Sequence, residues 1–126
     1  VNRKEDVLLS IKPEYAREII AGRKHFEYRK RIFKKPVNTI VIYVTKPVGL
    51  IVGEFTIKQI LLDTPENIWI KTADYSGIKK NDFEAYFKGR EKAYAIELLE
   101  VTTYHTPINP FKVWKRFVPP QSFRYI

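Results

Sequence analysis

The chain contains no cysteine and only two histidines. Without cysteine there is no disulfide framework and no thiolate zinc site. His25 and His105 stand 80 positions apart with no metal-ligand spacing around either, so neither a metal nor another cofactor is expected. No apolar run approaches the roughly 20 residues of a membrane span, and the first residues do not resemble a signal peptide. A cytoplasmic protein with no membrane association is expected. The sequence also lacks internal repeats, linkers, low-complexity tracts, a glycine-rich phosphate loop and any Ser/His/Asp arrangement, which leaves little support for nucleophilic catalysis. Acidic residues are scarce beside basic ones, 14 against 23, giving a net charge of +9 and a pI near 9.7.

What is present is unevenly placed. Residues 23–35 carry seven Lys and Arg against Glu27 alone, and residues 101–126 carry Lys112, Lys115, Arg116 and Arg124 with no acid. The rest is nearly neutral. A concentrated basic field attracts polyanions, nucleic acid first and acidic membrane surfaces second, although a solubilising surface has the same composition. At 126 residues, with 44% hydrophobic and 14% aromatic content, the chain suits one domain over 1–126 with a real core, expected as a monomer.

Elements read in order. "SIKPEYAREIIAG" has Pro13 for a first helical turn, Glu14 for the positive end of the dipole and Gly22 past the end, with Tyr15, Ile19 and Ile20 as its buried stripe beside Ala16. A strand follows in "AGRKHFEYRKR". Strand alternation places His25, Glu27, Arg29 and Arg31 on one outward face and Phe26, Tyr28 and Ile32 on the other. "TIVIYVT" and "LIVGEFTIKQILLD" are further strands, the second with a bulge or close backbone contact at Gly53. Thr64 and Pro65 start a helix through about Lys71, a second short helix ends at Gly89, and "KAYAIELLEVTTY" is a strand whose Ala, Leu and Glu content leaves a helix open. A proline-rich irregular return ends in a short strand in "SFRYI". Together these predict an α+β, mainly β fold: an antiparallel or mixed sheet curled towards a barrel, with two or three helices.

Gly22, Lys24, Glu27 and Arg29 spell G-x-K-x-x-E-x-R, which resembles the hallmark of the ASCH domain, a family of the PUA-like superfamily of small β-barrels. "LLSIKPEYAREIIAG", "IYVTKPVGLIVGEF", "KAYAIELLEV" and "PPQSF" extend the resemblance over most of the chain. It implies a small barrel with a basic cleft beside the first helix and a role in RNA or nucleotide recognition, with transcription or translation regulation as a setting. Some family members are nucleases, and one branch hydrolyses the amide of N4-acetylcytidine using a threonine three positions after the motif lysine. Here that position is Glu27. The amidohydrolase activity is therefore not expected, although Lys24 matches the family lysine.

The candidate nucleic-acid-binding residues are Lys12, Lys24, Glu27, Arg29, Arg31, Gln121 and Ser122. Glu27 and Arg29, two apart on one strand face, either pair with each other or jointly grip one ligand. Arg29 offers a planar fork for phosphate or a base edge, and a carboxylate accepts from exocyclic amines. Lys24 is expected as a flexible point charge, and Lys12 adds an ammonium beside a helix N-terminus. Pro119 and Pro120 stiffen the segment that carries Gln121 and Ser122. Tyr28, Tyr43, Tyr86, Phe87 and Tyr94 are candidates to stack on a base, and His25 is a stacker, an acid or a bystander. Lys24, Glu27 and Arg29 are also the catalytic candidates, since metal-free RNA cleavage needs only a base, an acid and positive charge around the ribose hydroxyl. Three readings stand: an RNA- or nucleotide-binding domain, an enzyme acting on RNA or a modified nucleoside (a metal-free ribonuclease or an amidohydrolase), and a protein-interaction module whose basic faces meet an acidic partner.

Overall fold

The structure, a computed structural model, describes residues 4–126. Six strands form one mixed sheet in the order β2-β5-β4-β3-β1-β6. β1 (Glu5–Ile11) runs parallel to β3 (Val37–Val44), and every other pair is antiparallel. The β-branched content of β3 suits this central place, where both edges are paired. β4 (Leu50–Asp63) and β5 (Ala93–Ile108) are the two long strands, and their register slips three times along the pair. Each slip adds local twist and bends the ribbon, which curls the sheet towards the expected barrel and leaves it a half-barrel. Gly53 sits at one slip because a Cβ there would overlap Thr102 O across the ladder.

Two layers of core follow from the alternation. Leu9, Ile11, Ile40, Ile42, Phe55 and Ile96 fill the inside of the curl and receive Ala16 and Ile19 of α1 (Pro13–Ile20). Ile20 is 42% exposed, so the buried stripe of α1 is narrower than its pattern implies. On the outer face, Phe26 and Tyr28 of β2 (Phe26–Arg29) pack with Ile68 of α2 (Pro65–Thr72) and with Phe83 of α3 (Lys80–Tyr86). Ile32 does not join them, because β2 stops at Arg29 and ends the alternation; it packs against the inner core instead.

The proline-rich return contains a fourth helix, the single turn α4 (Pro110–Val113), started by Asn109, whose side chain accepts from Phe111 N at 3.0 Å. Pro110 at the first helical position fits that turn, although the sequence around it reads as irregular. β5 runs on to Ile108 because it stays paired with β4, Ile51 opposite Ile108. β6 (Phe123–Tyr125) adds an edge beside β1. No helix among the described residues is long and apolar enough to cross a membrane.

Candidate functional site

β1 and β2 are four places apart in the sheet, yet α1 joins them in sequence and the curl brings them face to face. Arg29 closes that seam. Its Nη2 donates to Ser10 O of β1 at 2.7 Å and to Glu27 Oε2 at 2.6 Å, its Nε donates to the same Oε2 at 3.0 Å, and Nη1 reaches Ser122 Oγ at 3.3 Å. Side-chain bonds here take the place of the backbone ladder that the open seam lacks. Ser10 in turn holds the C-terminal segment, through Ser10 N to Ser122 O at 3.0 Å and Ser10 Oγ to Pro120 O at 2.7 Å.

Glu27 and Arg29 do pair, but not on a solvated ribbon: they are 5% and 9% exposed. The Arg29 fork is spent largely inside the protein, which leaves it little to offer a phosphate. Glu27 has its Oε2 doubly engaged, while Oε1 takes no hydrogen bond among the described residues and is the oxygen left for a ligand. Outward orientation fails because α2 and α3 cover the other face of β2 and the half-barrel wraps this one.

Lys24 departs furthest from its expected role as a flexible charge. It precedes β2 and is 2% exposed. Its Nζ donates to Ser76 O at 2.7 Å and lies 4.7 Å from the Tyr28 ring centroid and 5.2 Å from that of Tyr15. It forms no ion pair among the described residues. Burial disfavours the ammonium and pulls its pKa from 10.5 to about 8; Glu27 opposes the fall and Arg29 adds to it. Cation–π contacts and one carbonyl soften the cost of the charge without cancelling it.

These groups form the floor of a cleft of about 1100 Å³, lined by six basic and three acidic side chains. Lys12, Arg31, Gln121 and Ser122 all line it, with Lys12 and Arg31 exposed at its mouth. His25 does not: its ring stacks on Tyr75 at 4.3 Å and Nε2 bonds Gly22 O at 2.9 Å. Of the stacking candidates, Tyr28 and Tyr86 line the cleft, and Tyr86 is the more open at 37% exposure. Tyr43 and Phe87 are buried in the core. Tyr15, read from sequence as core stripe, is a wall of the cleft, and Glu14, Asp82 and Arg90 also line it. The basic side chains of residues 101–126 lie elsewhere, with Arg124 over the Trp114 ring at 5.8 Å.

Gly77 completes the Lys24 pocket. Its φ is +62°, and a Cβ there would fall on the Lys24 stem, within 2.8 Å of Cδ. Gly77→Ala is expected to lose about 1–2 kcal/mol from the left-handed backbone alone, and to dislodge Lys24 as well. Urea denaturation measures the loss; a loss no larger than this backbone share would mean that the lysine stem yields freely, and an unchanged midpoint would contradict the backbone strain as well.

Comparison with known proteins gives a consistent result. The sequence model of the family described as "ASCH domain" matches residues 9–102. The chain is 31% identical to an "ASCH domain-containing ribonuclease" of Zymomonas mobilis, over 99% of this chain and 86% of that protein. A crystal structure of ASCH from Zymomonas mobilis superposes with a TM-score of 0.90 at 28% identity, covering 98% of this chain and 89% of the other. A large ribosomal subunit protein of Ureaplasma parvum is 26% identical over 97% of this chain, which spans only 39% of that longer protein.

Proposed function

The chain belongs to the ASCH domain family, and from that premise we propose that residues 1–126 act as one RNA-binding domain whose basic cleft also cleaves RNA. The observation that carries this is Lys24, a buried amine in a cleft, without a carboxylate partner and with its pKa drawn to about 8. A lysine so placed is a usable general base near neutral pH. In this reading Lys12, Lys30, Arg31 and Arg90 hold phosphates, Tyr86 stacks on a base, and Glu27 Oε1 accepts from an exocyclic amine. Lys24 takes the proton of the ribose 2′-hydroxyl, the freed oxygen attacks the adjacent phosphorus and closes a 2′,3′-cyclic phosphate, and the 5′-oxygen of the next nucleotide leaves with a proton from solvent. Gln121 and Ser122, which also line the cleft, donate towards the phosphate. The chemistry uses side chains alone, and the nucleophile is the substrate's own.

An RNA oligonucleotide should be cut while DNA of the same sequence is bound and left intact. Four phosphate contacts predict that affinity for single strands falls about 50-fold between 50 and 200 mM salt. Fluorescence anisotropy with a 2′-deoxy probe measures the salt slope, and gel analysis of a labelled RNA measures cutting. Binding without cutting would leave an RNA-binding module; a flat salt response would remove phosphate recognition altogether. The ribonuclease among the relatives favours RNA as the ligand.

The second basic segment favours an additional protein contact. Phe111, Val113 and Val118 are 42%, 63% and 71% exposed beside Lys112, Lys115 and Arg116, with no acid in the segment, which suits an acidic partner carrying apolar side chains.

A further inference from the structure

α3 is a ridge with a cavity on each side. Helical spacing puts Asp82, Ala85 and Tyr86 on the side of the main cleft, and Lys80, Phe83, Glu84 and Phe87 on the other. That other side is a separate groove of about 380 Å³ between α2 and α3, at the small end of ligand pockets. Trp69 forms its aromatic wall, braced against Phe83 with ring centroids 4.9 Å apart. Ile70 is 77% exposed on its rim.

Two features connect this groove with the cleft. Arg90 lines both, standing just past the end of α3 where Gly89, at φ +77°, turns the chain. The rim of the groove carries Lys80, Lys88 and Arg90 against Glu66 and Glu84, so cations outnumber acids there, and Arg90 is shared with the cleft. An aromatic wall under a cationic rim has the composition that holds an unpaired base with its phosphate.

We propose that the α2–α3 groove is a second nucleotide subsite, in which Trp69 stacks on an unpaired base farther along the strand from the nucleotide held in the main cleft, and Arg90 and Lys88 hold the phosphates crossing between them. This rests on the RNA reading of the cleft. The ridge sets the spacing: a helix with side chains is about 10–12 Å across, whereas adjacent stacked nucleotides are about 3.4 Å apart. A mononucleotide or dinucleotide therefore occupies the cleft alone, and both sites fill only when a longer single strand passes over α3.

The test uses uncleavable 2′-fluoro oligouridylates of one, two and four nucleotides, with affinities measured by calorimetry on the full chain. The tetranucleotide is expected to bind at least tenfold more tightly than the dinucleotide. It alone should quench Trp69 fluorescence, read in a Trp114→Phe background that leaves one tryptophan. Trp69→Leu should remove most of the length gain with dinucleotide affinity unchanged. Because Trp69 also packs on Phe83, the surface pair Lys80→Glu and Lys88→Glu supplies an independent variant with the same expected outcome. A length gain that survives in both variants overturns the subsite while leaving the cleft intact. No length gain in the parent does the same. Failure of every probe to bind removes the RNA reading itself. If the protein dimerises on size exclusion and dimer formation alone quenches Trp69, the groove belongs to a second copy and the subsite is wrong.

Discussion

Arg29→Ala is expected to lower unfolding stability by about 3–5 kcal/mol, the range for removing one partner of a buried ion pair. The variant strands Glu27, 5% exposed, with its Oε2 deprived of both guanidinium bonds. It also cuts the link to Ser10 O that ties β2 to β1 across the seam. Glu27→Gln should cost less, about 1–3 kcal/mol, because the amide oxygen still accepts from Arg29 and the seam bond to Ser10 O survives. Urea denaturation of both single variants and the double variant forms a cycle, and a coupling above 1 kcal/mol is expected for groups in direct contact. A loss below about 1 kcal/mol for Arg29→Ala would mean that the seam is held by packing alone. The same variant should also bind RNA weakly, since the loosened seam no longer fixes Ser122 on the cleft wall.

The ordering of these effects shows what the sequence could and could not reveal. The spacing of Gly22, Lys24, Glu27 and Arg29 is local, and local order is enough to find the motif and its pairing. The work of Arg29 as a strut is not local. It depends on β1 meeting β2 across a curled sheet, which follows only once the slips along β4 and β5 are known. The burial of Lys24 is hidden from the sequence for the same kind of reason: its carbonyl partner, Ser76, lies 52 positions away, and the neighbouring Gly77 makes room for its stem. Nothing in the sequence around Gly77 ties it to Lys24, which stands 53 positions earlier. Tyr15 fell in a helical stripe of ordinary appearance, and only the position of α1 beside the seam makes it a cleft wall. β3 and β4 are plain because β-branched runs state their own period, whereas the Ala, Leu and Glu content of β5 leaves a helix open and β1 has no strand reading in the sequence at all. The outward-facing ribbon failed because alternation tells the two faces of a strand apart without saying what covers either.

Lys24→Met should abolish a rise in stability between pH 8 and 10 that the parent shows, and should reduce RNA cutting by at least a hundredfold. The folded chain holds the Lys24 proton with a pKa of about 8, below the ordinary 10.5 of the unfolded chain. Between those values the unfolded state binds more protons, so stability grows with pH across that window and is flat below it. The full span is worth about 3 kcal/mol at 1.36 kcal/mol per unit. Tyr28 acts in the opposite sense. Burial pushes it up to about 12, so above pH 10 the unfolded chain ionises first and stability declines. A maximum near pH 10 is therefore expected in the parent, and the methionine variant should show only the decline. Cutting follows the same proton. The free amine is the base, so the rate should climb tenfold per pH unit up to about 8 and then level off, and losing a general base costs about 10²–10⁴-fold. Lys24→Met keeps the bulk of the stem and removes the amine, so denaturation and cutting measured on one preparation separate a folding defect from a chemical one. Cutting that stays within a few-fold of the parent in a folded variant would exclude Lys24 as the base, and a parent stability that is flat from pH 8 to 10 would show that its buried amine carries no proton penalty.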